Sequence, residues 1–180
     1  MEKIPATDEE LMESVAGGDM DAFETLVRRH QKAAINVAYR MVSDPHTAQD
    51  IAQEAFLKIL DNANNYRPTA KFRTYLYNVV SRLCIDHYRK RRASPSAELA
   101  HHKDNGESPS EVMIRNERAE KVRAALDQLP ERQRTALVLQ HYEDLSYEEI
   151  AEVMDCSTKA VDSLLVRARR KLEQLLADLK

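Results

Sequence analysis

The sequence is poor in the residues that interrupt helices. It has three glycines and six prolines in 180 residues, and all nine fall between stretches of helical periodicity. No apolar run approaches the roughly 20 residues that a membrane-spanning helix needs. The N-terminus has no apolar signal core either, so we expect a cytoplasmic protein rather than an exported one.

The sequence is also poor in residues that build disulfides or metal sites. Its two cysteines, Cys84 and Cys156, fall in segments with the pattern of packed helices, so we expect small buried hydrophobes. His46, Asp50 and Glu54 share one helix face. A metal site in a helical bundle needs matching ligands from other helices, and the single Glu-x-x-His motif lies outside the predicted helices. We therefore expect no metal and no other cofactor.

Hydrophobic periodicity predicts an all-α protein, since no window of useful length alternates with the period of two that a strand requires. Residues 93–110 are polar and contain Pro, Ser and Gly, which is typical of a flexible tether. This segment divides the chain into a first helical domain, 1–92, and a second, 111–180. The predicted helices span residues 8–16, 20–43, 46–62, 70–91, 109–128, 131–142, 146–154 and 158–178.

Residues 145–172 have the pattern of a helix-turn-helix. Ser146, followed three residues later by Glu149, forms a capping box that starts the first helix. Ser157 or Thr158 can cap the second helix, whose apolar residues recur at helical spacing. A helix-turn-helix places its second helix in the DNA major groove, although an ordinary helical hairpin has the same local pattern.

The second helix of this unit carries a local excess of positive charge, although the net charge of the whole chain is −3. Between residues 157 and 171 a single acid, Asp162, stands against a cluster of cations. These cations are Lys159, Arg167, Arg169, Arg170 and Lys171. Clustered cations on one helix suit the phosphate backbone of DNA, so the distribution of charge favours a nucleic-acid partner.

A second cation-rich stretch, residues 66–92, interleaves aromatic side chains with Lys and Arg. Unpaired bases need aromatic faces for stacking and cations for their phosphates, which this stretch can supply. We expect about half of its rings to lie in the core instead, with Phe72 and Tyr77 as the first choices.

Five stretches together resemble the extracytoplasmic-function (group 4) sigma factors of bacterial RNA polymerase. They lie in the expected order and cover nearly the whole chain apart from the tether. The stretches are Gly-Asp-Met-Asp-Ala-Phe-Glu-Thr-Leu-Val-Arg-Arg-His (18–30), Ala-Gln-Asp-Ile-Ala-Gln-Glu-Ala-Phe-Leu-Lys (48–58), Phe-Arg-Thr-Tyr-Leu-Tyr (72–77) with Ile-Asp-His-Tyr-Arg-Lys-Arg-Arg (85–92), Leu-Pro-Glu-Arg-Gln-Arg-Thr-Ala (129–136) and the helix-turn-helix.

The resemblance implies a sigma-2 domain followed by a sigma-4 domain, with core RNA polymerase, promoter DNA and an anti-sigma factor as partners. It also implies a monomer when the chain is free. Polymerase binding is assigned to Asp50, Gln53, Glu54, Phe56 and Leu57. Reading of the −10 promoter element is assigned to Tyr66, Lys71, Arg73, Tyr75, Arg82, Arg89, Lys90, Arg91 and Arg92. Reading of the −35 element is assigned to Ser157, Thr158, Lys159, Asp162, Ser163, Arg167, Arg169 and Arg170.

The chain departs from the family pattern in three places. Tyr75 stands where the family usually has Trp, which keeps an aromatic ring. Arg82 stands where members often have Asn beside the pocket for a captured base. Asp162 and Leu164 replace two cations of the recognition helix. Because Asp can accept a hydrogen bond from cytosine and Arg can reach a base edge or a phosphate, we expect altered base preference rather than lost binding.

Two other classes of function compete with this interpretation. A one-component repressor or activator would use the same helix-turn-helix, and such proteins usually dimerise to match two half-sites. An enzyme is disfavoured, because the sequence has no glycine-rich phosphate loop, no nucleophile elbow and no Cys/His metal spacing. The favoured interpretation is a promoter-specificity subunit without catalytic chemistry of its own.

Overall fold

The computed structural model of the protein describes residues 6–93 and 111–177. Within these ranges all regular structure is helical, which confirms the predicted fold class. The predicted tether lies outside the described residues apart from Ala93. None of the described helices is long and apolar enough to cross a membrane. The helices are α1 (Asp8–Ala16), α2 (Met20–Val42), α3 (Pro45–Asp61), α4 (Phe72–Ala93), α5 (Glu111–Asp127), α6 (Glu131–Glu143), α7 (Tyr147–Met154) and α8 (Thr158–Leu175), with a short 3-10 turn (Ala63–Asn65) after α3.

Capping contacts start the two helices of the helix-turn-helix where the sequence predicts. Ser146 Oγ accepts a hydrogen bond from the backbone N of Glu149 at 3.2 Å, and the Glu149 carboxylate accepts from the backbone N of Ser146 at 3.0 Å. The predicted capping box is therefore confirmed. Ser157 Oγ accepts from the backbone N of Ala160 at 3.2 Å, so Ser157 rather than Thr158 is the N-cap of α8.

Aspartates end α6 and α7 in place of glycine. Asp144 and Asp155 have φ angles of 50° and 48°, in the left-handed region that most side chains avoid. Aspartate tolerates this region because its short side chain can hydrogen-bond locally. A chain with three glycines can therefore still end these helices sharply.

Helices α1 to α4 form the first module, in which α2 packs against the other three. Phe72 and Tyr77 are 0% and 1% exposed, which confirms their predicted place in the core. Cys84 is buried too, and burial raises the pKa of its thiol to about 12, so the group stays neutral at neutral pH. Cys156, in contrast, is only half-buried.

Helices α5 to α8 form the second module, and α7 and α8 are its helix-turn-helix. Ile150 and Val153 of α7 and Val161 and Leu165 of α8 are buried at the centre of this unit. Helix α6 packs against both α7 and α8. This packing fixes the orientation of α8 and leaves its opposite face exposed.

The two modules pack directly against each other at what we call the junction. Helix α2 contacts α5 and α6, while α4 contacts α6 and α7. Buried apolar side chains of both modules belong to one continuous core, beside a small separate cluster around Leu126, Leu129 and Ala168. Nothing in the sequence pattern predicts this junction.

Arg134 of α6 lies buried at the centre of the junction, where it is 2% exposed. Its Nη1 donates to the backbone oxygen of Met41 in α2 at 2.6 Å and to Asp127 Oδ1 at 3.0 Å. It also contacts the hydroxyl of Tyr88 in α4. Its Nη2 donates to the backbone oxygen of Asp127 at 2.6 Å. Because arginine stays protonated, this charge depends on acceptors from both modules.

Polar contacts surround this buried arginine. Ser43, just after α2, donates from Oγ to Asp127 Oδ1 at 2.7 Å. The guanidinium carbon of Arg40 lies 4.0 Å from the ring centroid of Tyr142, a cation–π contact between α2 and α6. The junction thus combines apolar burial with directional contacts that fix how the modules meet.

Replacement of Arg134 by alanine should lower the free energy of unfolding by about 3 kcal/mol, because it removes one partner of a buried charged network. Arg132→Ala is the matched control. That side chain is exposed and donates to the Met154 backbone oxygen at 3.3 Å, so its loss should cost no more than about 0.5 kcal/mol. Urea unfolding of both variants measures the difference. Equal losses would contradict the role of Arg134.

Candidate functional site

A cleft of about 580 Å³ lies where the segment after α3 meets the start of α4. Its volume falls within the range of small-ligand sites, and its walls mix amide, hydroxyl and aromatic groups. One wall residue, Glu152, comes from α7 of the second module. The residues of the first module that line the cleft include Asn62, Asn65, Tyr66, Tyr75 and Asn78.

Two predicted reader residues, Tyr66 and Tyr75, form an aromatic corner of this cleft. Their ring centroids are 5.4 Å apart and the rings are tilted by 48°. Within the described part of the chain, the buried hydroxyl of Tyr66 has no hydrogen-bond partner. Burial, followed by the charge of Glu9, raises the pKa of Tyr66 to about 12, so the phenol stays a neutral donor.

Two predicted cations lie beside the cleft at the start of α4. Lys71 Nζ is 2.9 Å from Glu149 Oε1 of α7, and the Lys71 side chain is 71% exposed. Arg73 is half-buried, and its positive charge acts on both Glu149 and Tyr77. The start of α4 therefore joins aromatic rings and cations, as the sequence predicts.

The other predicted cations lie farther along α4. Arg82 is exposed one turn beyond Asn78 of the cleft wall. Residues 89 and 90 are exposed and residue 91 is half-buried, while the side chain of Arg92 lies outside the described ones. These side chains extend the basic surface away from the cleft instead of completing it.

The outer face of α3 is exposed and largely polar. Asp50, Gln53 and Glu54 all lie in solvent, and Glu54 forms an i,i+4 ion pair with Lys58 at 3.5 Å. Leu57 is 58% exposed among them, an unusual position for a large apolar side chain. Four of the five predicted polymerase contacts thus share one accessible surface.

The fifth, Phe56, lies in the core, contrary to its assignment as a polymerase contact. It is 5% exposed, and its ring packs edge-on against Phe23 of α2, with centroids 6.5 Å apart. Successive helical residues differ by about 100° around the axis, so Phe56 points inward where Leu57 points outward. Phe56 supports α3 from within and does not form part of its outer surface.

An exposed stripe runs along α8 on the side opposite its core contacts. Its residues recur at i, i+4, i+7 and i+11, the spacing of one helix face. They are Lys159, Ser163, Val166 and Arg170. Asp162 and Arg167 flank the stripe, and Arg167 is held by hydrogen bonds to the backbone oxygen and Oγ of Ser163, at 3.0 and 2.9 Å. Val166, at 53% exposed, is the one member of the stripe that is not among the residues predicted to read the −35 element.

The remaining predicted residues of α8 occupy different positions. Ser157 and Thr158 are exposed at its N-terminus, where Ser157 also serves as the cap. Arg169 turns back toward its own module, and its Nη2 donates to Gln140 Oε1 at 2.7 Å. Arg169 therefore stabilises the packing of α8 on α6, unlike the outward residues of the stripe.

Comparison with known proteins decides the family. Residues 26–94 match the model of sigma-70 region 2, and residues 119–172 match that of sigma-70 region 4. The sigma-H factor of Pseudomonas aeruginosa RNA polymerase is 37% identical over 183 residues, which cover 96% of this chain and 95% of that protein. The chain belongs to the extracytoplasmic-function sigma factors of bacterial RNA polymerase.

Other comparisons agree with this family. The sigma-E factor of Escherichia coli K12 is 33% identical over 178 residues, with 93% of each chain covered. Among solved structures, CnrH in complex with the cytosolic domain of CnrY is similar, with a TM-score of 0.74 and 29% identity over 95% of this chain and 97% of that one.

Several residues of this sigma factor gain a place at its candidate sites from the structure alone, and three of them are used below. Asn78 and Glu152 line the cleft, and Val166 lies on the stripe of α8. Asn78 follows Tyr75 by three residues, so helical periodicity could have placed it on the cleft face. Glu152 comes from the other module, and no local pattern identifies such a residue.

Proposed function

We propose that this sigma factor binds core RNA polymerase in the cytoplasm and directs initiation at specific promoters, with no catalytic step of its own. In this proposal α3 docks on the polymerase, the cleft and α4 read the −10 element, and α8 reads the −35 element. The observation that carries it is the presence of two DNA-suited surfaces in one chain: an aromatic cleft beside the exposed Lys71, and an exposed cationic stripe on a helix-turn-helix.

The cleft suits a base taken out of the −10 duplex. Extrusion of a base costs a few kcal/mol, and stacking on an aromatic ring returns about 1–3 kcal/mol. Stacking alone therefore only offsets the cost. A hydrogen bond from the Asn78 amide on the cleft wall would add to the stacking and make capture favourable. Lys71 and Arg73 would hold the flanking phosphates.

The stripe of α8 suits the major groove of the −35 element. Lys159 and Arg170 stand at its two ends, where they can reach phosphates or guanine edges. Val166 lies between them and offers an apolar branch to the methyl group of a thymine. Asp162, beside the stripe, can accept a hydrogen bond from the amino group of cytosine. This combination predicts a −35 preference different from that of relatives with a cation at that position.

The outer face of α3 suits a protein partner rather than DNA, because acids surround its exposed leucine. We propose that Asp50, Gln53, Glu54 and Leu57 contact the polymerase. An inhibitor of the anti-sigma class is also proposed, since the similar structure of CnrH was solved with the cytosolic domain of CnrY.

Replacement of Leu57 by alanine should weaken binding to core polymerase about tenfold, because an apolar side chain at the centre of an interface contributes between 1 and 2 kcal/mol. Met20→Ala is the matched control. It removes a similarly exposed apolar side chain, 55% against 58%, from the start of α2. Fluorescence titration with core polymerase and run-off transcription measure the effect. Equal behaviour of the two variants would contradict the polymerase surface on α3.

The original chain should bind a promoter with thymine at one −35 position more tightly than the same promoter with uracil there. Replacement of Val166 by alanine should remove this difference in affinity. The two bases differ only by the methyl group that Val166 is proposed to contact. Loss of one buried methyl group is worth about 0.8 kcal/mol, or roughly a fourfold change in affinity. Holoenzyme binding is measured on a transcribed promoter with each thymine of the −35 element replaced in turn.

Ser163→Ala serves as the comparison for this series, since it lies on the same stripe but offers no branched apolar group. It should keep the thymine preference of the original chain. If the original chain binds every deoxyuridine promoter as tightly as its thymine parent, Val166 does not contact a thymine methyl.

A further inference from the structure

Helix α7 of the second module lies against the −10 reader of the first. Asn78 Nδ2 donates to the backbone oxygen of Val153 at 2.7 Å, Lys71 donates to Glu149 at 2.9 Å, and Glu152 forms part of the cleft wall. Three of the five residues, Lys71, Asn78 and Glu152, belong to surfaces already described as reader or as wall. The cleft is therefore partly closed by the same chain that is proposed to use it.

The contacts across this boundary share one chemical pattern. Both hydrogen bonds place an acceptor oxygen of the second module against a donor of the reader. Glu143 of α6 repeats it, since its carboxylate accepts from the hydroxyl of the buried Tyr77. Single-stranded DNA would present the same kind of groups there: anionic phosphate oxygens for Lys71 and acceptor atoms on a base edge for Asn78.

We propose that the acidic face of α7, with Glu149 and Glu152, occupies the place of the unpaired −10 strand and masks the reader when the sigma factor is free. This inference rests on the proposed function, because it requires the cleft and α4 to be the −10 reader. It adds a partner for that surface, namely the helix-turn-helix of the same chain.

The stripe of α8 and the outer face of α3 are exposed in the same arrangement. The chain can therefore reach polymerase through α3, or duplex DNA through α8, before the reader is uncovered. Helix α7 has to move away from the cleft only when a single strand of DNA is available to replace it. Because polymerase or duplex DNA would bind before the reader is uncovered, the free sigma factor would not bind single-stranded nucleic acid without a promoter.

The mask is weak enough to be displaced. Glu149 and Lys71 have side-chain exposures of 21% and 71%, and ion pairs of that exposure contribute little because water screens them. A DNA strand offers several phosphates and stacking bases in place of one carboxylate. The strand therefore wins once the polymerase delivers it to the cleft.

The mask is tested by measuring the affinity of the free full-length chain for single-stranded DNA by fluorescence anisotropy at low salt. The ligand is a short, fluorescently labelled strand of mixed sequence. Glu149→Gln keeps the capping box, because glutamine also serves at that position, but removes the negative charge from Lys71. Its affinity should rise about threefold, in line with the loss of one exposed ion pair. Glu148→Gln is the matched control: it removes the same charge from the neighbouring, exposed position of α7.

A rise in Glu149→Gln beyond that of Glu148→Gln supports the mask. Equal affinities of the two variants overturn it, because general repulsion of DNA by acids would then explain any change. Thermal melting shows whether both variants keep the fold. Run-off transcription by the original chain with core polymerase separates failure of the proposed function from failure of the mask. Absence of a transcript contradicts the proposed function. Normal transcription together with equal affinities of the two variants contradicts only the mask.

Discussion

The buried guanidinium of Arg134 is the interaction on which the arrangement of this sigma factor depends. Its hydrogen-bond partners are a backbone oxygen of α2, a hydroxyl of α4, and a carboxylate and a backbone oxygen at the end of α5. An arginine at 2% exposure is tolerated only if its charge is compensated. Separation of the modules would expose this charge to water and remove one of the two donors to the Met41 oxygen, the other being the Tyr88 hydroxyl. Arg134 thus links the helix-turn-helix to the first module with directional bonds that apolar packing alone lacks.

The junction also determines which surfaces are available at the same time. The outer face of α3, which we propose binds polymerase, and the stripe of α8 lie in solvent, whereas the cleft shares its wall with α7. Two weak DNA contacts become a strong one when a common carrier holds them at the right separation. Because the modules of this chain pack together, the cleft and the stripe of α8 cannot lie at an arbitrary distance from each other. Polymerase binding then has a second role beside recruitment, namely to set the distance between the two readers.

The sequence predicts the helices of this fold because the signals that begin and end a helix are local. Capping residues such as Ser146 and a near absence of glycine mark the helices to within a few residues, because both act within one turn of the chain. Helical spacing likewise placed Phe72 and Tyr77 in the core. The resemblance assigns Phe56 to the polymerase surface, but its ring lies in the core, about 100° around the helix axis from the exposed Leu57. Arg134 belongs to a family motif in the sequence, and only the three-dimensional contact of α6 with α2 and α4 reveals its burial. Sites built from both modules, such as the cleft with Glu152, cannot be derived from periodicity within one helix.

The two modules are packed together in the free chain, and we propose that they separate when a promoter strand delivered by the polymerase takes the place of α7. Energy transfer between dyes at the exposed positions of Glu24 in α2 and Gln174 in α8 tests it most directly. We expect high transfer in the free chain and lower transfer once core polymerase and an opened promoter are added. Transfer in the free chain as low as in the polymerase complex would show that the modules are already apart, and would contradict it.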